Sequence, residues 1–269
     1  MDRRDPNRAR LLAPQAKLAR LRKRGIEHLR ARIARLEHPG QMRHPVLPFG
    51  VPALDERLPQ GGLVRGALHD IGGGEFGAVH GAAAALFIAG VLARMSGPVF
   101  WCLSRRDLFA PALAGVGLHP DRVIYAEADD DETVLLCMEE ALRHAGLAAV
   151  VGEVSRLSMT ASRRLQLAAE TSGVTAFVLR RWRSVAAADA FARITAATTR
   201  WRIAAAPSSP LPVPGIGRPR WIVELIRSRA GERGIWEMEA CDAQGCLALP
   251  AELADRSAAA ADERYGAIA

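Results

Sequence analysis

The 269-residue sequence has no apolar stretch long enough to cross a lipid bilayer. Its longest apolar run, from Gly81 to Ala93, falls short of the roughly 18 to 20 residues that a membrane-spanning helix needs. The first ten residues are polar and charged, without the apolar segment of a secretory signal. We therefore expect a cytoplasmic protein without membrane contact, built as one α/β domain with small extensions.

Cysteine is scarce, and the motifs of several enzyme classes are missing. The four cysteines (Cys102, Cys137, Cys241 and Cys246) form no C-x-x-C pair, and the seven histidines include no H-x-x-x-H spacing. No G-x-S-x-G elbow is present. These absences favour free, mostly buried thiols and predict no metal, no cofactor and no hydrolase chemistry. Cys241 and Cys246 flank a turn-like segment, so they could face each other on a hairpin.

Positive charge is concentrated at the N-terminus. Residues 1–37 hold 12 Lys and Arg against 4 Asp and Glu, and the rest of the chain is close to neutral. Leu18, Leu21, Ile26, Leu29, Ile33 and Leu36 recur at helical spacing between these basic residues, so residues 15–37 are predicted to form an amphipathic helix. Such a helix can dock through its apolar stripe on the core or a neighbouring subunit, or meet nucleic acid through its basic face, and the two uses are compatible.

Strands and helices are predicted to alternate after a turn-rich stretch that spans residues 45–66. Alternation of this kind is typical of a mostly parallel sheet with both faces covered. Beyond residue 190 the pattern changes to strands alone, which indicates an antiparallel edge. The predicted strands are 67–71, 98–103, 123–126, 147–151, 174–179, 199–205, 220–227 and 234–241, and the predicted helices are 79–95, 107–114, 131–144 and 160–171.

A glycine-rich loop between the first of these strands and the first helix resembles a phosphate-binding loop. A working loop of this kind reads G-x-x-x-x-G-K-[ST], in which the lysine neutralises phosphate and the hydroxyl holds magnesium. Gly72 and Gly77 have the right separation, with Gly73 and Gly74 between them, but Ala78 and Val79 stand where lysine and Ser or Thr are required. We expect a structural loop that has lost nucleotide cleavage, although its backbone could retain weak anion binding.

Longer stretches resemble the RecA recombinase family. The run from Pro48 to Ile71, PFGVPALDERLPQGGLVRGALHDI, is similar to the family's entry into its phosphate loop. Within that family, SRRLQLAAETSGVTAFVLRRW from Ser162, TTRWRIAAAPS from Thr198 and ELADR near the end are similar to the ImuA family. The resemblance covers about residues 10–256 and implies a RecA-like P-loop-NTPase-type core with an antiparallel C-terminal edge (45–256). Charge and periodicity place a basic N-terminal helix and linker before it (1–44), and the Ala-rich, charged composition predicts a flexible tail after it (257–269).

The RecA-like resemblance also implies which residues stand at the catalytic positions. The strand-end carboxylate that helps to bind magnesium falls near Glu153. The carboxylate that would activate water falls near Ser104, with Arg105 beside it. A polar amide that senses the γ-phosphate is replaced by Arg180 and Arg181. Several altered positions together predict that the chain is not an enzyme.

Arginine and tryptophan occur together in three places, at residues 181–183, 200–202 and 218–221. Such pairs could form a surface for single-stranded DNA, with indole stacked on bases and guanidinium on phosphate. The alternative is that the tryptophans pack in the core and the arginines face solvent, whereas Trp101 and Trp236 are expected in the core. Candidate DNA or partner contacts are Arg20, Arg22, Lys23, Arg24, Arg30, Arg181, Trp182, Arg183, Arg200 and Arg202.

Three functions remain open at this point. The ImuA-like resemblance implies a non-catalytic accessory protein of SOS-type, DNA-damage-induced mutagenesis and translesion synthesis. Its implied partners are an ImuB-like Y-family polymerase homologue, RecA, and indirectly an error-prone replicative polymerase paralogue. The alternatives are a RecA-fold cell-division inhibitor resembling SulA, and a weak nucleotide-dependent DNA-binding ATPase.

Overall fold

A computed structural model describes residues 45–250 except 183, 190, 192–193, 209–210, 212 and 216. The predictions for the basic segment 1–44 and the tail 257–269 therefore lie outside the described residues. So do the candidate contacts Arg20, Arg22, Lys23, Arg24, Arg30 and Arg183.

Within the described residues, the central sheet has eight strands. Numbered along the chain, the strands lie side by side in the order β10-β9-β8-β3-β7-β6-β4-β5. From β8 to β5 every neighbouring pair is parallel, whereas β9 is antiparallel to both β8 and β10. The predicted parallel sheet with an antiparallel C-terminal edge is therefore confirmed. The strands are β3 (Leu68–Gly73), β4 (Val99–Leu103), β5 (Val123–Glu127), β6 (Ala149–Val154), β7 (Thr175–Arg180), β8 (Thr199–Ala206), β9 (Arg220–Ser228) and β10 (Gly234–Glu239).

A small two-stranded sheet precedes the central one, and sequence reasoning missed it. Strands β1 (Val46–Leu47) and β2 (Leu63–Val64) pair antiparallel within the stretch that was predicted only as turn-rich. Helix α1 (Pro52–Asp55) and a 3₁₀ turn at Pro59–Gly61 lie between them. Strands of two residues are too short to show a period in the sequence.

The remaining helices cover the two faces of the central sheet. They are α2 (Ala78–Ala93), α3 (Ala110–Gly115), α4 (Asp131–Ala141), α5 (Met159–Ser172) and α6 (Val185–Asp189), with a 3₁₀ turn at Pro120–Arg122. Helix α2 packs on one face in a core that includes Trp101, Phe177 and Trp201, whereas α4 and α5 pack on the other face. Alternate residues of each strand therefore enter different cores.

Capping residues set the ends of the helices on the second face. The Asp130 side chain accepts a hydrogen bond of 2.7 Å from the Thr133 amide at the start of α4. Ser158 does the same for Ala161 at the start of α5, at 3.1 Å. Gly173 ends α5 with φ of 77°, a backbone conformation that favours glycine. These bonds satisfy amides that would otherwise lack a partner.

The four cysteines and two of the tryptophans follow the sequence prediction in part, because Cys102 is buried but Cys137, Cys241 and Cys246 are only half-buried. All four cysteines are free thiols, and the carbonyl of Cys246 accepts a hydrogen bond from the Asp242 amide across the turn that separates Cys246 from Cys241. Trp101 is fully buried, and Trp236 is partly buried against the core. Within the described residues, no helix has the length and apolar character needed to cross a membrane.

Candidate functional site

A cavity of about 390 Å³ lies beside the glycine-rich loop, at the edge where β3, β4, β6 and β7 end. Its walls come from three parts of the chain. The first is the loop and the start of α2, the second is the segment after β4, and the third is the segment after β7. Phe76, Gly77, Ala78, Arg105, Asp107, Phe109, Arg181 and Trp182 are among the residues that line it. Clefts at the carboxyl ends of parallel strands are where α/β proteins usually bind ligands.

The glycine-rich loop is shorter than the sequence predicted. Gly72 and Gly73 belong to β3, where Gly72 pairs with Arg180 of β7 and with Arg202 of β8. This corrects the predicted strand end at Ile71, and the reason is that Gly72 has strand partners on both sides and Gly73 still pairs with Ile203 of β8. The connection is therefore residues 74–77, and it is fixed by a 2.8 Å hydrogen bond from the Gly74 amide to the Ile203 carbonyl.

Side chains at the start of α2 offer neither a cation nor a hydroxyl. The helix begins at Ala78, and no side chain caps it at Gly77. Val79, which the motif spacing puts in place of the metal-binding Ser or Thr, is 66% exposed and carries an apolar side chain. A bare helix N-terminus can attract an anion, but residues 78 and 79 of this chain do not fit a metal-bound triphosphate.

Glu153 lies at the end of β6 and is fully buried. Its Oε1 accepts a hydrogen bond of 3.1 Å from the indole Nε1 of Trp101, which is also fully buried. Burial raises the pKa of Glu153, and the nearby charge of Arg181 and the Trp101 hydrogen bond oppose that rise. The predicted acid is thus present at the strand end.

Arg181 follows β7 and reaches across the site. Its Nε lies 3.5 Å from Oε2 of Glu153, and its Nη2 donates to Asp107 Oδ2. The Arg181 side chain is 19% exposed and Asp107 is 48% exposed, so solvent reaches one end of this cluster. One of the two arginines that replace the γ-phosphate sensor therefore lies against Glu153, the acid at the family's strand-end carboxylate position.

Arg180 joins a different cluster, which lies on the opposite face of the sheet. Its Nε is 3.6 Å from Oδ1 of Asp70, whose Oδ2 is 3.2 Å from Nε of Arg200. Asp70 is fully buried and Arg200 is 3% exposed. The Arg200 guanidinium also donates to the Phe191 carbonyl and lies 4.5 Å from the centre of the Phe191 ring. Both arginines are therefore bound to one carboxylate inside the protein.

The structure shows how accessible three of the candidate DNA or partner contacts are. Arg200 was predicted to contact DNA or a partner, and this is wrong because its guanidinium is buried against Asp70. Arg202 is partly exposed but lies 3.3 Å from Glu224. Trp182 is partly buried, and its Nε1 donates to the Gly73 carbonyl at 3.2 Å.

The tryptophans of the other Arg and Trp pairs are structural. Trp201 is fully buried and Trp221 is 3% exposed, so neither ring is free to stack on a base. The reading in which these tryptophans pack in the core is the correct one for both. The arginines were expected to face solvent, which is the case for Arg202 but not for the buried Arg200.

Sequence reasoning missed Asp107, Trp101 and Asp70 as partners of these clusters. Asp107 follows two arginines in a segment without periodicity, so nothing in the sequence pairs it with Arg181. Asp70 could have been noticed, because an acid inside an otherwise apolar strand needs a buried counter-charge. The identity of that counter-charge depends on strand order, which the sequence alone does not supply.

Fold and site together define a RecA-like α/β protein whose phosphate loop lacks the lysine and hydroxyl of nucleotide-using members. Among solved structures, the chain is similar to the RadB recombinase with a TM-score of 0.50 and 15% identity, over 76% of this chain and 99% of that one. This likeness shows the fold. No family model matches the chain.

Curated relatives identify the family more narrowly. The chain is 41% identical to Protein ImuA of Caulobacter vibrioides strain NA1000 / CB15N over 235 residues, which is 82% of this chain and 96% of the relative. The same values hold for Protein ImuA of strain ATCC 19089 / CIP 103742 / CB 15. The chain belongs to the ImuA family, and the resemblance stated from the sequence is confirmed.

Proposed function

We propose that this protein is a non-catalytic accessory protein of SOS-type, DNA-damage-induced mutagenesis, in which a RecA-like core serves as a static docking platform. The observation that carries the proposal is the pair Ala78 and Val79 at the start of α2, where charge and hydroxyl are needed for phosphoryl transfer. The family relationship supports the mutagenesis context. In this proposal the partners are an ImuB-like adaptor and RecA, with the error-prone polymerase paralogue reached through the adaptor.

The absence of ATP turnover is tested directly. Phosphoryl transfer depends on positioned positive charge, so we expect no ATP hydrolysis above background, with or without single-stranded DNA. Glu153→Gln is the matched control, since loss of a real activity in that variant would assign it to this site. ATP turnover that DNA stimulates and that Glu153→Gln abolishes would overturn the proposal in favour of an ATPase.

An apolar groove beside the edge strand supports a docking role. Within the described residues β5 ends the sheet, so one side of its backbone has no strand partner. A groove of about 400 Å³ lies between β5 and α4, with Phe100, Ile124, Cys137, Ala141 and Leu147 among its walls. Ile124 is 52% exposed there. An open strand edge beside an apolar groove suits an added strand or an amphipathic helix from a partner.

Capture from damaged cells tests this docking surface. We expect the wild-type protein to recover an ImuB-like polymerase homologue, and Ile124→Arg to lose most of that recovery because a charge would be placed in the groove. Leu167→Arg is the control, since Leu167 on α5 is 64% exposed and lies outside the groove. Recovery of neither the ImuB-like homologue nor RecA by the wild-type chain would contradict the proposed function. Equal recovery by Ile124→Arg would show that the docking surface lies outside this groove.

The basic N-terminal segment is proposed to bind single-stranded DNA or an acidic partner surface. Residues 1–37 carry 12 of the 36 Lys and Arg residues of the chain. Binding through such charges releases counterions, so affinity for single-stranded DNA should fall steeply with added salt. Deletion of residues 1–40 should flatten that dependence. Identical salt slopes for the full and shortened chains would exclude the segment as the DNA contact.

A further inference from the structure

Arg181 connects three elements of the degenerate phosphate site. It leaves β7 and binds Glu153 at the end of β6 and Asp107 after β4. Its Nη1 also lies 3.9 Å from the position that a Cβ atom on Gly81 would take, in the first turns of α2. The guanidinium therefore lies between Glu153 and helix α2, which follows the phosphate loop.

We infer that Arg181 supplies, from β7, the positive charge that a loop lysine and a metal ion supply in nucleotide-using relatives, and that this guanidinium closes the site to a metal-bound triphosphate. The buried Glu153 carboxylate motivates the inference. Its Oε1 has the Trp101 indole, whereas Oε2 has no hydrogen-bond partner among the described residues and faces the Arg181 charge at 3.5 Å. A buried carboxylate without a nearby cation is costly, so the fold needs Arg181 whether or not a ligand is present.

The same contacts explain why a metal does not fit. Magnesium binds carboxylate oxygen directly or through an ordered water, and it adds two positive charges where a guanidinium already lies. Arg181 would have to leave Glu153 before a metal could approach. Asp107 and Arg105 are the other charged groups that act on Glu153, and both come from the segment after β4. Asp107 already accepts a hydrogen bond from Arg181, and Arg105 repels a cation.

The first test measures stability as a function of pH in single and double variants of Arg181 and Glu153. Burial raises the pKa of Glu153, and Arg181 lowers it, so removal of Arg181 should raise it further. A protonated Glu153 no longer needs the cation, so Arg181→Gln should cost less stability at pH 5 than at pH 8. We expect the melting temperature of Arg181→Gln to fall by roughly 5–10 °C at pH 8.

Variants separate charge from packing in that test. Arg181→Lys should retain most of the stability, and Arg181→Gln combined with Glu153→Gln should regain most of what the single change lost, because no buried charge is then left unpaired. The difference between the double variant and Glu153→Gln should no longer vary with pH. A loss in Arg181→Gln that is equal at pH 5 and pH 8 and that Glu153→Gln does not relieve would show that Arg181 only fills space, and would overturn the inference.

The second test asks whether Arg181 blocks the site, and it rests on the proposed absence of nucleotide use. With Arg181 intact, Ala78→Lys combined with Val79→Thr should give weak or no Mg-ATP binding by calorimetry. Addition of Arg181→Gln should tighten binding at least tenfold. Equal affinity with and without Arg181 would overturn the inference while leaving the scaffold proposal untouched. Mg-ATP binding by the wild-type chain would also overturn the inference, and only ATP turnover by that chain would in addition contradict the proposed function.

Discussion

Two consecutive arginines at the end of β7 turn to opposite faces of the sheet and enter different environments. Arg180 joins Asp70 and Arg200 in an interior where Asp70 is fully buried and the arginine side chains are at most 7% exposed. Arg181 joins Glu153 and Asp107 in a cluster that opens to solvent at Asp107. The first cluster joins side chains from strands β3, β7 and β8, and the second occupies the degenerate phosphate site.

The comparison shows that similar charge in the sequence can serve unrelated purposes. Alternation along a strand sends neighbouring residues to different layers, so the Arg-Arg pair was never a single basic patch. Burial decides the role of each cluster. A guanidinium surrounded by aromatic rings cannot meet DNA, whereas one beside a cavity lies within reach of a ligand.

Removal of the shared carboxylate should have the largest effect. Asp70→Asn would remove the buried carboxylate that both Arg180 and Arg200 contact, and we expect a loss of about 3–5 kcal/mol in the free energy of unfolding. Urea denaturation measures this loss. A change below about 1 kcal/mol would contradict the view that the buried cluster depends on the Asp70 charge.

His69 lies on the same face of the sheet as Arg181, and it should change stability with pH in the direction opposite to Glu153. Burial lowers the pKa of His69 to about 4, so the folded protein resists protonating it. Its Nδ1 is 2.7 Å from Thr199 Oγ1 and its Nε2 is 2.8 Å from the Val64 carbonyl, contacts that suit a neutral ring.

The contribution of His69 is complete above its unfolded pKa and is lost as pH falls towards the folded value. The loss of this contribution should lower the free energy of unfolding by about 3 kcal/mol between pH 6.5 and pH 4. Glu153 acts in the other direction, because its raised pKa makes stability fall as pH rises past its unfolded value. Denaturation across this range should show a smaller acid loss in His69→Gln, and an unchanged acid loss would rule out His69 as its source.

A methyl group at Gly74 tests how tightly the loop is held on the side of β8. A Cβ atom there would lie 2.3 Å from the Cβ of Ala204, so the loop and β8 would have to separate. We expect Gly74→Ala to cost about 1–3 kcal/mol through overpacking. Gly115→Ala is the control in thermal melts, because a Cβ at Gly115 would meet nothing within 4 Å in the part of the chain that the structure describes. Equal melting temperatures for the two variants would indicate a looser loop than the contacts imply.

The smallest effect is expected at an ion pair exposed to solvent. Arg202 and Glu224 are 35% and 33% exposed and lie 3.3 Å apart on neighbouring strands. Glu224→Gln should change stability by at most about 1 kcal/mol, because solvent screens such pairs. A loss as large as that of Asp70→Asn would remove the distinction between buried and exposed arginines.

The order of elements was predictable because periodicity is local. The helices α2, α4 and α5 and all eight strands of the central sheet were expected near their observed positions. The missing lysine and hydroxyl were also visible in the sequence. What could not be predicted was strand order, and with it the contacts of Arg180, Arg181 and Arg200. Those contacts join residues 28 to 130 positions apart, and no local pattern specifies them.

Direct titration of the purified full-length chain with ATP and magnesium tests the central claim, that Arg181 holds the cation position of a site with no use for nucleotide. The account predicts no heat of binding and no rise in melting temperature at millimolar Mg-ATP. Saturable binding that requires magnesium and disappears in Glu153→Gln would contradict it.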